Sequence, residues 1–239
     1  MLDNEIKQIY KNVSVATICT ALFKRNLRNQ FIQEVVPLNI DMPNMVGLAY
    51  TVRYIPARED LNSLEVFKNP LHPQRLAIEE CPVDHVMIFD SRKDPRAASA
   101  GAILITRLMV RGCAGAVTDG GFRDSYEIKD IKMPTYHKRP SSPTNLTLHQ
   151  AVDINVPIGC GDVAVWPSDL IVGDKEGVVV IPSNIIKELS NEVKSMTQYE
   201  DYVINKVQNG SSIKGLYPLT DKQKEDEYSN WLKRSSKNN

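Results

Sequence analysis

Apolar positions fall into alternating helical and strand-like patterns along the chain. Behind Asp3, a capping residue, Ile6, Ile9, Tyr10 and Val13 share one side of a helix. Val15 to Leu22 is predicted to continue that helix to about Lys24. Met45 to Tyr54 carries Val46, Leu48, Tyr50 and Val52 at every second position and reads as a strand. Pro70 and Pro73 punctuate a loop before a helix over Gln74 to Glu80. His85 to Phe89 is a compact apolar strand ending at Asp90, and Arg92 to Ala97 is a polar loop. From Ser99 or Ala100 the chain enters a helix, Ala102 to Arg111, with Ile105, Leu108 and Met109 toward the core and Gly112 at the stop. A strand over Ala114 to Val117, a short helix from about Arg123 to Lys129 and a strand over Thr135 to His137 follow.

Arg139 to Leu148, rich in Pro, Ser, Thr and Asn, reads as a long loop. Three short strands come next, Val163 to Val165, Leu170 to Val172 and Val178 to Ile181, with turns at Pro167-Ser168-Asp169 and Gly173 to Gly177. Pro182-Ser183 opens a long helix to about Asn209, stopped by Gly210; a last helix spans about Asp221 to Leu232, and Ser235 to Asn239 are expected to lack order. There is no internal repeat. The order of elements predicts a layered α/β domain with a mixed sheet over residues 1–210, then a helical tail over 211–239.

Composition narrows the classes of function. With 239 residues, 42% hydrophobic and 24% charged, the chain can bury a substantial core. Its 29 basic and 29 acidic residues give a formal net charge of +0, so neither nucleic acid nor an acidic membrane surface is an expected partner. Cys19, Cys81, Cys113 and Cys160 are widely spaced with no C-x-x-C pair, which fits reduced thiols and disfavours zinc. The start, Met1 to Glu5, is acidic without an apolar stretch, and no run of about 18 apolar residues occurs, so a cytoplasmic location is expected.

Candidate chemistry concentrates in Val117-Thr118-Asp119-Gly120-Gly121-Phe122-Arg123-Asp124. An arginine grips a carboxylate through two parallel hydrogen bonds, and an aspartate is a hard oxygen ligand for Mg²⁺. The competing reading is that Asp124 caps its own helix and Arg123 pairs with it. Asp119 either orients Arg123 or is a turn residue. Ser99 to Leu104 opens a helix whose free N–H groups attract anions, and Gly101 has no side chain to block approach. His72, His85, His137 and His149 read as structural, and Gly159-Cys160-Gly161-Asp162 reads as a turn. No Ser/His/Asp signature, phosphate loop or G-x-G-x-x-G occurs.

At these residues the chain resembles the RraA-like family, which includes the 4-hydroxy-4-methyl-2-oxoglutarate / 4-carboxy-4-hydroxy-2-oxoadipate aldolases and the regulators of ribonuclease E. The likeness rests on Met45 to Val52, Gly101 to Asp124, Val156 to Gly161, and Pro167 to Asp174 with Gly177 to Pro182. It implies an α/β/β sandwich-like fold of the swivelling-domain type, assembled as homotrimers or dimers of trimers with sites between subunits. The aldolase members are lyases dependent on Mg²⁺, Mn²⁺ or a similar ion; they release pyruvate from hydroxy-oxo acids and decarboxylate oxaloacetate. By the resemblance, Gly101, Ala102, Ile103 and Leu104 with Arg123 hold the small 2-oxo acid, and Asp124 holds the metal. Catalytic members carry an aspartate twenty residues ahead of the Arg-Asp pair; here that position is Ala102. This departure keeps two alternatives open: a non-catalytic binding protein, or a different sugar-acid lyase or dehydratase in which His137, His149 or Glu200 replaces the acid. The family also draws a glutamate from a neighbouring subunit's C-terminal helix, which aligns with Glu200, or next with Glu192.

Overall fold

A computed structural model describes residues 2–235. The chain packs as two compact units, Met1–Ser190 and Asn191–Asn239. The first unit begins with a helix over Asn4–Lys11, where Asp3 accepts hydrogen bonds from the Glu5 and Ile6 amides at 2.9 and 3.2 Å. The expected single helix to Lys24 is in fact two. Ser14 adopts an extended backbone, and its Oγ accepts from the Thr17 amide at 3.0 Å, so a second helix, Val15–Phe23, starts afresh.

The main sheet is mixed. Met45–Pro56, His85–Asp90, Gly115–Thr118 and Thr135–His137 lie side by side in parallel. Met45–Pro56 is long enough to take two antiparallel partners along its other edge. Leu170–Gly173 pairs with its first half and His149–Ile154 with its second. Val178–Ile181 and Phe31–Ile32 extend the sheet beyond Leu170–Gly173, and Val36–Pro37 closes the opposite edge.

Side chains alternate across this sheet, and both faces are buried. Met87 and Phe89, with Tyr50, Val52 and Tyr54, pack under a helical layer through Ala77, Ile78, Ile105, Leu108 and Ile128. The helices are Pro73–Glu80, Ala102–Val110 and Ser125–Lys129. On the other face Val86, Ile88, Ala49 and Val117 meet a hairpin, Ile158–Cys160 with Val163–Val165. Helices, sheet and hairpin therefore form the α/β/β layering that the family resemblance implies. Each fully buried Val, Ile or Phe contributes about 1.5–3 kcal/mol of transfer free energy.

A second, small parallel sheet joins Ala98–Ala100, Gly121–Phe122 and Arg139–Pro140. Each of these strands follows one of the main-sheet strands His85–Asp90, Gly115–Thr118 and Thr135–His137, in the same spatial order. The chain thus leaves the main sheet three times in step. Buried polar groups fix the step. Asp119, 1% exposed, accepts from the Ser91 amide (2.7 Å) through Oδ1 and from the Lys93 (3.0 Å) and Gly161 (3.1 Å) amides through Oδ2. The hydroxyls of Ser91, Ser99 and Thr118 bond to one another at 2.5–3.2 Å beside it.

Several short strands were not foreseen. The expected loop Arg139 to Leu148 contains the strand Arg139–Pro140 and a 3-10 turn, Asn145–Thr147. Arg139–Pro140, like Val36–Pro37, has only two residues, too few for a period to register. His149–Ile154 is interrupted by an irregularity between Ala151 and Asp153, which breaks its alternation.

In the second unit, Tyr199, Tyr202, Tyr228 and Trp231 cluster around Val203 and Leu216, with ring centroids as close as 4.9 Å for Tyr199–Tyr228. The long helix is Ile186–Gln208, and the last is Lys222–Ser235. The rest of the tail expected to lack order, 236–239, lies outside the described residues.

Gly47 and His137 report on this packing. A Cβ at Gly47 would lie 2.5 Å from the Asp84 carbonyl oxygen and 2.8 Å from Ala114 Cβ, so backbone would have to move. Gly47→Ala is expected to lower the unfolding free energy by about 1–3 kcal/mol in urea titrations. His137 is buried, stacked on Phe122 at 6.0 Å, and its Nδ1 has no partner. Burial pushes its pKa down from 6.5 to about 4. Between those values the unfolded chain binds a proton that the folded chain does not, so stability falls as pH drops from about 6.5 toward 4. His137→Phe, which keeps a ring against Phe122, is expected to make that fall shallower, by on the order of 2 kcal/mol at pH 4.

Candidate functional site

The stepped exit from the main sheet places two segments side by side. Ala98–Ala100 runs into Gly101 and the helix Ala102–Val110, and Gly121–Phe122 runs into Arg123 and Asp124. The Arg123 amide donates to the Ala100 carbonyl at 3.1 Å. Asp124 takes a left-handed backbone (φ 54°, ψ 38°), a conformation that aspartate adopts more readily than most residues. Its side chain does not cap its own helix. Oδ2 instead accepts from the Ala102 amide at 3.2 Å, at the start of the neighbouring helix, and lies 3.4 Å from Arg123 Nε. The pairing of Arg123 with Asp124 is thus present, while the cap is made across segments.

Gly101 is held by close approach. A Cβ there would sit 2.6 Å from Asp124 Oδ2, 2.8 Å from Arg123 Cγ and 2.9 Å from Arg123 Nε. Only a glycine lets the arginine and the carboxylate lie flat against the helix entrance. The first amides of that helix have no partner within it, and they add the positive end of the helix dipole to the same place.

These groups open on a cavity of about 580 Å³. Of the residues singled out from the sequence, Gly101, Ile103, Leu104, Arg123 and Asp124 line it, and Ala102 contributes the amide bonded to Asp124. Arg123 and Asp124 remain 45% and 40% exposed, accessible to a solute. Glu200 and Glu192 lie on the helix Ile186–Gln208, within the unit Asn191–Asn239, and neither is among the lining residues.

Other candidates resolve into structural roles. Asp119 does not orient Arg123; its oxygens are taken up by three backbone amides. His149 has its Nε2 3.1 Å from the Asp94 carbonyl oxygen and its Nδ1 3.2 Å from an Arg92 guanidinium nitrogen, and burial lowers its pKa. Neither His137 nor His149 lines the cavity. Cys160 is fully buried, and burial pushes its thiol well above the ordinary range, the opposite of an activated nucleophile. Gly161 and Asp162 turn the hairpin, as the sequence implied, although Ile158–Cys160 before them is strand.

The opposite wall of the cavity was not foreseen. Leu64, Phe67, Gln74, Arg75, Thr144 and Asn145 complete the lining. Arg75 carried one legible signal, a basic residue in the first turn of a helix that has no acid there.

Comparisons with known proteins agree with this fold. A family model described as RraA-like, Aldolase/RraA, matches residues 15–180. A protein of Halalkalibacterium halodurans named "Putative 4-hydroxy-4-methyl-2-oxoglutarate aldolase" is 31% identical over 182 residues, 76% of this chain and 80% of that one. A 4-hydroxy-4-methyl-2-oxoglutarate aldolase of Thermus thermophilus is 24% identical over 108 residues, 45% of this chain and 65% of that one. Among solved structures, Streptomyces coelicolor RraAS2, described as an unusual member of the RNase ES inhibitor RraA family, superposes with a TM-score of 0.74 at 23% identity. It covers 84% of this chain and 96% of its own. An uncharacterized protein of Pseudomonas syringae gives a TM-score of 0.77 at 19% identity over 90% and 98% of the two chains, so the fold is shared well beyond recognisable sequence. The match over residues 15–180, on a fold that sets Gly101 against Arg123 and Asp124, makes this chain a member of the RraA-like family.

Proposed function

We propose that this protein is a divalent-metal-dependent lyase acting on small 2-oxo acids, releasing pyruvate by retro-aldol cleavage or decarboxylating an oxaloacetate-like acid. The observation that carries this reading is the contact of Gly101 with Arg123 and Asp124 at the mouth of one cavity. Aldolase names among the relatives support it.

The donor set fits a hard ion of the Mg²⁺ or Mn²⁺ type. Both close contacts of Asp124 use Oδ2, which leaves Oδ1 for a cation. Among the described residues no three His, Cys, Asp or Glu side chains converge, so such an ion would take its other ligands from water and substrate, as Mg²⁺ commonly does. When bound, it supplies a Lewis acid beside the 2-oxo group. Arg123 grips the substrate carboxylate with its planar fork and keeps a positive charge next to the carbon framework that gains electrons as the bond breaks. The helix entrance at Gly101–Leu104 adds amides and leaves room for the acid to lie against the backbone. Asp124 positions the ion, and its bond to the Ala102 amide holds the carboxylate in place.

Ala102 carries no proton acceptor. Retro-aldol cleavage must move a proton off the substrate hydroxyl, whereas decarboxylation needs no such base, so the site is better suited to the second reaction. In the proposed homotrimer, Glu200 of a neighbouring subunit is the residue that would restore a base. A second reading, a binding protein without catalysis, draws on the same Ala102. It expects a defined protein partner whose capture is indifferent to Arg123→Ala.

Assayed against oxaloacetate and 4-hydroxy-2-oxo acids, the protein is expected to release pyruvate, to stop with EDTA and to recover with Mg²⁺. Arg123→Ala and Asp124→Asn are each expected to lower kcat/KM by roughly 100-fold or more with the melting temperature little changed. Sedimentation is expected to show a trimer or a multiple of one. A trimer without metal-dependent turnover on this panel would overturn the lyase reading.

A further inference from the structure

Cys81 and Cys113 form a thiol pair that the proposed reaction leaves unused. Cys81 ends the helix Pro73–Glu80, and Cys113 follows the stop of the helix Ala102–Val110. The Asp84 amide donates to the Gly112 carbonyl at 2.9 Å and the Ala114 amide to the His85 carbonyl at 2.8 Å. Backbone bonds thus flank Cys113 on both sides and hold it against the segment that follows Cys81. The sulfurs converge. Cys81 Sγ lies 3.9 Å and Cys113 Sγ 3.8 Å from the same Pro82 carbonyl oxygen, and the two side chains hydrogen-bond to each other. All four cysteines carry free thiols, and no cysteine is among the groups acting on Cys19 or Cys160.

The two thiols are not equivalent. Cys81 is fully buried and Cys113 is 8% exposed, so a small solute meets Cys113 first. Arg111 stands two residues before Cys113. Its Nη2 donates to the Cys81 carbonyl oxygen at 3.3 Å, and its buried Nε has no partner. Glu79 lies 3.9 Å from Arg111 Nη1 and holds Arg107 at 2.7 Å, so the Arg111 charge is only partly offset. The hydrogen bond from Cys81 lowers the Cys113 thiol pKa against the opposing effect of burial, and Arg111 lowers it further. The same hydrogen bond, with burial, pushes the Cys81 thiol up. Cys113 is therefore the sulfur that ionises, and Cys81 keeps its proton.

We propose that Cys81 and Cys113 are a redox-modification site at which hydrogen peroxide converts two thiols into a disulfide, Cys113 attacking and Cys81 resolving. The Cys113 thiolate attacks one peroxide oxygen, the O–O bond breaks, and hydroxide leaves, so that Cys113 becomes a sulfenic acid. The Cys81 sulfur then attacks the Cys113 sulfur. The S–O bond breaks, and the hydroxyl departs as water with the Cys81 proton. The two sulfurs are oxidised by two electrons in all, and the peroxide is reduced. The bridge closes a loop that contains the strand His85–Asp90, Ala98–Ala100 and the helix entrance at Gly101. It ties the far ends of two helices whose starts line the cavity, one through Gln74 and Arg75, the other through Ile103 and Leu104. Neither Arg123 nor Asp124 enters this chemistry.

Exposure of the reduced full chain to hydrogen peroxide tests it, read by intact mass and by mapping of differentially alkylated peptides. The chain is expected to lose the mass of two hydrogen atoms, to yield Cys81 and Cys113 in one linked peptide pair, and to regain both thiols in dithiothreitol. Those two thiols are expected to disappear about tenfold faster than those of Cys19 and Cys160. Cys81→Ala is expected to hold Cys113 as a sulfenic acid that dimedone labels, whereas Cys113→Ala is expected to leave Cys81 unlabelled. Melting curves establish that each variant is folded, and the mapping of the intact chain decides the matter without them. Consumption of Cys19 ahead of the pair overturns the inference. So does a Cys113 that gains two or three oxygen atoms with Cys81 still a free thiol.

Discussion

The absence of a side chain at Gly101 is the constraint on which the site depends. Asp124 Oδ2 and Arg123 Nε occupy the volume a Cβ would take, 2.6 and 2.9 Å away, so the cation, the carboxylate and the helix entrance share one small surface. No single element makes that surface. It arises because the chain crosses from the main sheet to the small sheet three times in register, bringing Ala98–Ala100 and Gly121–Phe122 together. Asp119 secures the crossing by accepting three backbone amides from two different segments in the interior. A carboxylate that first reads as a companion to Arg123 is a structural staple several residues away from it.

Charge placement gives the cavity its character. Arg75 and Arg123 face it with only Asp124 against them. Arg75 is in an unfavourable electrostatic setting, at a helix N-terminus with Arg123 as a second cation nearby. Local arrangements that oppose stability are expected where a ligand supplies the missing charge. Ala102, by contrast, takes away a charge. Its position at the helix entrance keeps the backbone amide that binds Asp124 but carries no carboxyl, which moves the burden of proton transfer elsewhere.

Much of this architecture was legible in the sequence. The strands Met45–Pro56, His85–Asp90, Gly115–Thr118 and Val178–Ile181 are strongly apolar or alternating and long enough to register a period. The segments around Gly101 and Arg123-Asp124 were visible because they combine a strand end, glycines and charge. Arg75, Gln74, Phe67 and Asn145 were not, because they come from two 3-10 turns and a helix start that converge on the site only in three dimensions. The break at Ser14 was missed for a local reason: the apolar spacing runs on past it, and only the serine's capping bond marks the new start. The small sheet was missed because two- and three-residue strands carry no period of their own.

A crystal structure with Mn²⁺ and oxalate bound addresses the central claim most directly, because the metal's anomalous scattering locates it without reference to turnover. Expected is a metal peak within about 2.3 Å of Asp124 Oδ1, with an oxalate oxygen completing its coordination and the oxalate carboxylate within hydrogen-bond reach of Arg123. A peak elsewhere, or oxalate bound with no metal beside Asp124, would contradict it.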